Sequence, residues 1–273
     1  MYELDTPREV TLSAGERKPP QFDRKAYIKA VRHVYDKGGF TPEMLSDKPV
    51  AALRKETARC LVDAVDTTLM SDHVPEAMAE KLREDVFVFS GCKTYHELRE
   101  ASQLLVSDEG KVKSFHQFRQ DVMELYPKYN EQYLEAEYEF AVSSAQSASR
   151  WADIMEDGDD YDLQYVTAGD SDVRPEHQAL EGITLPPSDI FWSQYMPPNG
   201  WRCRCLANQV LRGKYHESDH DRALQLGELA TTDNDSTGRN RAEMFRFNPG
   251  AQQIVFPPSH PYYHDAPQEA RRI

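Results

Sequence analysis

The sequence predicts an α+β protein, with a mostly helical first part followed by a small irregular α+β domain with short strands. Three observations carry that expectation. Apolar residues recur at helical spacing up to about residue 155 and then stop. Short alternating segments take over from there. Pro, Gly, Asn and Asp become frequent in the connections between them. The 273 residues suffice for one large domain or two modest ones, and 14 Tyr, 11 Phe and 3 Trp can anchor their cores. With 39% hydrophobic and 29% charged residues and a mean hydropathy of −0.73, the composition is that of a polar globular chain.

Residues 1–20 lack periodicity and end in Lys-Pro-Pro, which reads as an extended arm. Asp23 is placed to cap a helix carrying Tyr27, Ile28, Val31, Val34 and Tyr35, closed by Gly38 and Gly39. A second helix is expected from about Pro49 to Met70, and a third from Pro75 to Val86. Thr94 and Glu97 form a capping box for a separate short helix reaching Leu105. Phe115, Phe118, Val122 and Leu125 then mark a long helix, kinked or split at Pro127. It resumes through Leu134, Ala141, Ala145, Ala148, Trp151 and Met155, whose small residues admit a close neighbour. The acidic run Glu156 to Asp160 lacks the alternating order of a calcium loop and reads as a linker. Strands are expected at Tyr161–Thr167, Arg204–Leu211 and Gln252–Phe256. The domain division is therefore an arm over 1–20, a helical region over 21–157 and an α+β domain over 158–273.

Several classes are excluded at this stage. No stretch approaches the roughly 20 apolar residues of a membrane helix. The first residues have neither the basic nor the apolar region of a secretory signal, so the chain is expected in the cytoplasm or in an assembly built there. A net charge of −14, acidic in both parts, gives little support to DNA contact through phosphates. One local basic patch remains possible around Arg202, Arg204, Arg212 and Lys214. Four cysteines are too few for a disulfide scaffold in such a chain. Cys60 and Cys92 read as core residues, whereas the Cys203-Arg-Cys205 pair is unusual enough to ask about chemistry.

That pair closes the one specific string in the sequence. It runs Thr167-Ala-Gly-Asp170-Ser-Asp172-Val173-Arg174-Pro175-Glu-His177, then Asp189-Ile-Phe191-Trp192, then Pro197-Pro198-Asn199-Gly200-Trp201-Arg202-Cys203-Arg204-Cys205. The order resembles the phage Mu F-like head-morphogenesis family over roughly residues 160–265, with Asp172 standing where the family pattern has Arg. Phe247-Asn-Pro-Gly250 and Phe256-Pro-Pro-Ser-His260-Pro-Tyr262 resemble a tail found in some members. The resemblance implies a minor head protein of a tailed phage or prophage. Such a protein would contact the portal or inner capsid in the procapsid or virion, after assembly in the host cytoplasm.

The chemistry of the string leaves alternatives open. Cys203 and Cys205 would share one face of a strand, but side chains two apart on a regular strand are too far separated to hold one zinc. The backbone must bend there, and Pro-Pro-Asn-Gly is placed to bend it. His177 and Asp170 are the partners the resemblance supplies for a structural zinc. The competing accounts are reduced core thiols and a redox pair. A rival ligand set is His216 and His220, in a formal H-E-x-x-H with Glu217, which would make the protein a zinc-dependent hydrolase. Asp219 and Asp221 fit a solvated helix start better, with Ser218 or Asp219 capping Arg222 to Leu229. Arg174 is expected to pair with Asp170 or Asp189, and Phe191, Trp192 and Trp201 to belong to the core. Pro198 and Gly200 are assigned to the turn. No catalytic residue is assigned. The apolar stripes Tyr27–Tyr35 and Phe115–Leu125 offer surface for a partner.

Overall fold

The computed structural model describes residues 18–70, 74–157 and 160–272. Most of the arm expected over 1–20 and the centre of the acidic run lie outside the described residues. Helix α1 (Arg24–Asp36) begins where the Asp23 carboxylate accepts the Lys25 N–H, and ends before Gly38, whose φ is +76°. Helices α2 (Lys48–Leu69) and α3 (Glu76–Gln103) follow.

Helix α3 corrects the expected break. It runs unbroken for 28 residues, and Thr94 and Glu97 sit fully buried in its middle instead of capping a new helix. A capping box and a buried polar patch share one spacing in sequence, since both place side chains three residues apart. Here that patch meets the next long helices: Asn130 donates to Glu97, and Lys93 pairs with Glu137.

Helix α4 (Phe115–Pro127) is capped by Ser114, which accepts the Gln117 N–H. The α-helix is interrupted directly after Pro127, as expected, though not by a loop. The chain widens into a π segment, Lys128–Gln132, in which the Tyr133 N–H reaches back five residues to the Lys128 carbonyl, and continues as α5 (Tyr133–Asp157). The apolar stripes of α1 and α4 face each other. Tyr35 packs on Phe115 and Phe118, Tyr27 on Tyr126, and the Tyr27 hydroxyl donates to the Val122 carbonyl. Much of both stripes is spent internally, with Ile28, Tyr35, Phe115 and Leu125 left half-buried.

The rest is a small sheet surrounded by short helices. Strands β1 (Tyr161–Val166), β2 (Thr184–Leu185) and β3 (Leu206–Leu211) form an antiparallel sheet in the order β2-β1-β3, with Leu163 opposite both Leu185 and Gln209. Between them lie α6 (Pro175–Gln178) and α7 (Ile190–Tyr195). Helices α8 (His220–Ala230), α9 (Pro249–Gln252) and α10 (Pro261–His264) complete the chain. Of residues 252–256, expected as a strand, Gln252 ends α9 and the other four form a loop. The N–H groups of Val255 and Phe256 are taken by the Asp85 carboxylate instead of a neighbouring strand.

Two apolar cores result. The smaller gathers Leu163, Tyr165, Leu180, Leu185, Phe191 and Trp192 beneath the sheet, together with both cysteines. The larger fills the space among α1 to α5 and also takes in Phe245, Phe247, Val255, Phe256 and Ala270. The end of the described chain thus returns to the helices. The small residues of α5 do admit close neighbours, and α2 and α9 both pack on it.

Candidate metal centre

The bend that the cysteine spacing requires is present, and it lies before the strand. Pro197 and Pro198 are joined by a cis peptide bond, the Cys203 N–H closes a turn onto the Gly200 carbonyl at 3.1 Å, and Arg202 takes a left-handed φ of +60°. Such a conformation costs a non-glycine residue about 1 kcal/mol or more. Strand β3 starts only at Leu206, so Cys203 and Cys205 stand on this turn and are not held apart by strand geometry.

Both sulfurs converge on one imidazole. His177, in the single turn of α6, places its Nδ1 3.6 Å from Cys203 Sγ and 3.7 Å from Cys205 Sγ. All three residues are buried, and their ligand atoms lie within 4.8 Å of one another. The backbone N–H of Cys205 donates to Cys203 Sγ. The thiol of Cys203 is held well below its ordinary range, first by a hydrogen bond from the Cys205 thiol and then by His177. Cys205 is pushed up by the Cys203 sulfur beside it and by burial.

Asp170, the fourth ligand expected from the resemblance, stands elsewhere. Its carboxylate accepts both guanidinium nitrogens of Arg204, one at 2.7 Å, and it caps the local turn through the Asp172 N–H at 3.0 Å. The Arg204 pairing holds the Asp170 carboxyl below its usual range. Asp170 itself is exposed, and pairing there with the half-buried Arg204 spares its carboxylate the loss of water that a place beside the buried sulfurs would impose.

The remaining residues of the string build the walls. Arg174 pairs with neither Asp170 nor Asp189; its guanidinium donates to the Trp201 carbonyl at 2.6 Å and lies over Gly200, where a Cβ would stand 3.4 Å from it. Asn199 is buried and accepts the Tyr165 hydroxyl at 2.9 Å, a contact that the sequence reading did not assign. Trp192 is fully buried and donates to the Leu185 carbonyl, while its own carbonyl accepts from Asn248. Trp201 packs edge-on against Phe140 and Phe245. Pro198 and Gly200 sit in the turn as expected. Three of the four residues of the expected basic patch face carboxylates: Arg202 faces Glu135 and Glu139, Arg204 faces Asp170, and Arg212 faces Asp162, while Lys214 lies over the Tyr215 ring.

His216 and His220 do not form a second site. The helix begins at His220, so the two imidazoles do not share a helical face. His216 contacts the Glu217 carbonyl, and His220 pairs with Asp189 at 2.8 Å. Asp219 caps the helix by accepting the Arg222 N–H, as the solvated-helix account expects. Among the described residues, His177, Cys203 and Cys205 are the one such grouping of metal-ligating side chains.

The string Thr167–Cys205 lies inside a stretch that matches a known family. Residues 75–208, just under half of the chain, match the family described as Phage Mu protein F like protein, and over those residues the chain is similar to that family. The match extends further forward than the resemblance seen in the motifs, taking in α3 to α5, and it ends inside β3. A protein named for capsid assembly, protein F of Escherichia phage Mu, is 32% identical over 111 residues, 40% of this chain and 25% of that protein. The Mu-like prophage FluMu F protein of Haemophilus influenzae is 40% identical over 63 residues, 23% of this chain and 15% of that one. The matched stretches span a quarter or less of these curated relatives. No solved structure matches the chain.

Proposed function

We propose that the protein serves head assembly in a Mu-like tailed phage or prophage. In this reading it is a minor head protein of the procapsid or virion, built in the host cytoplasm. The observation that supports it is the family match across α3 to β3, strengthened by a relative named for capsid assembly. Portal or inner capsid proteins are the proposed partners. The physics of the chain agrees with action through protein surfaces: the net charge is −14, and the arginines that promised a phosphate site are engaged by carboxylates. No helix among the described residues is long and apolar enough to cross a membrane.

Co-expression with the cognate portal and major head proteins, followed by pull-down, tests the proposal. Retention of a head protein by both the wild type and Glu217→Ala supports it. If no head protein is retained while purified chain cleaves one in a Glu217-dependent manner, the hydrolase alternative replaces it.

A further inference from the structure

We propose that His177, Cys203 and Cys205 bind one zinc ion through three side chains, with the fourth position filled by solvent. The argument starts from spacing. In a tetrahedral site with Zn–N near 2.05 Å and Zn–S near 2.3 Å, a nitrogen and a sulfur ligand lie roughly 3.6 Å apart. The two nitrogen–sulfur separations here are 3.6 and 3.7 Å. One ion at the common centre satisfies both.

Plain packing of core thiols does not account for the arrangement. A buried thiol packed for its apolar character needs no common target, yet both sulfurs face the same ring nitrogen. The backbone N–H of Cys205 also donates to Cys203 Sγ, the kind of bond a thiolate ligand accepts. Two thiolates and a neutral imidazole around a divalent ion sum to zero charge, which suits a place where all three side chains are buried. Two soft sulfurs with one imidazole in tetrahedral array select zinc over magnesium or calcium.

The ligand count is the part that departs from the expected four-residue set. Asp170 is held by Arg204, and no other His, Cys, Asp or Glu among the described residues joins the group. The three ligands line one small cleft with Ala168, Asp172, Val173, Arg174, Arg202 and Arg204, which gives solvent a route to the remaining position. The ion would tie α6 to the turn that Arg202 completes, joining segments 26 and 28 residues apart. This inference does not depend on the head-assembly reading.

The test uses the full chain purified without chelator. Metal analysis is expected to give about one zinc per chain, unchanged in Asp170→Asn and in His216→Ala/His220→Ala, and lost in Cys203→Ser and Cys205→Ser. Should the serine variants fail to fold, Co²⁺ exchanged into the wild type keeps the question answerable. Sulfur-to-cobalt charge transfer with tetrahedral d–d bands, and X-ray absorption showing two sulfur and two nitrogen or oxygen neighbours, are the expected results. A folded wild type that takes up neither ion overturns the proposal, as does a Cys203–Cys205 disulfide in chain purified under reducing conditions. Loss of the metal in Asp170→Asn overturns the three-ligand count.

Discussion

Phe256 donates its backbone N–H to the Asp85 carboxylate at 2.9 Å, across 171 residues of sequence. Val255 does the same to the same oxygen. Beside them, the Phe256 ring stacks on Phe89, one turn further along α3, with centroids 3.6 Å apart. One carboxylate thus anchors the loop that follows α9 onto α3.

Removing that anchor leaves two N–H groups without an acceptor. Asp85→Ala is expected to cost about 3 kcal/mol of stability. Asp85→Asn keeps an oxygen in place and should cost less than half as much. Denaturant unfolding of both variants measures this, and equal losses would contradict the acceptor role.

Gly91 offers a test with an inverted sign. In an exposed helix, Gly→Ala stabilises by about 1 kcal/mol. Here a Cβ on Gly91 would stand 2.0 Å from the Ala270 carbonyl oxygen and 3.1 Å from its carbon. Gly91→Ala is therefore expected to lower the melting temperature in the full chain. It should become neutral or stabilising once residues 266–273 are removed. A loss that persists in the shortened chain would place the cause elsewhere.

The buried cluster between α3 and α5 sets a pH dependence. Burial raises the pKa of Glu97 to about 7, with Glu137 and Glu100 adding to the rise and Asn130 and Lys93 opposing it. Burial also raises Glu137 to about 7, against the pull of Lys93. A carboxyl whose folded value lies above its unfolded value binds more protons when folded. Its contribution is complete below about pH 4.5 and is lost as the pH rises through 7. Glu97→Gln removes that loss, since a neutral amide fills the place. The variant should be more stable than wild type at pH 8.5, with the gap closing by pH 5. A difference constant across that range would rule out titration of Glu97 as the source.

Phe140 joins the two parts of the chain. Its ring contacts Trp201, Phe245, Phe247 and Phe256, and it is buried. Phe140→Ala is expected to cost about 3–5 kcal/mol. A fragment beginning at Asp160 would lose these contacts altogether and is expected to unfold without a cooperative transition. Sharp unfolding of that fragment would show the second part to be self-sufficient.

Local signals determined much of this protein before any tertiary contact was known. The helix stripe behind Asp23, the glycine stop at 38 and 39, the strand at Tyr161 and the Asp219 cap all depend on neighbours within a few residues. The convergence of His177 with Cys203 and Cys205 was also legible, because the motif string names all three and the Pro-Pro-Asn-Gly turn supplies the bend. What the tertiary structure decided were contests between partners distant in sequence. Asp170 could face a metal or Arg204, and the pairing with Arg204 won because it leaves the carboxylate exposed and so costs less desolvation. Thr94 and Glu97 could cap a helix or be buried within one, and both are buried, with Asn130 on the π segment facing Glu97. Residues 252–256 could pair as a strand or close on α3, and Asp85 supplied the acceptor that settled it. Local spacing gives each segment its candidates, but which candidate prevails depends on what the folded chain brings to its side.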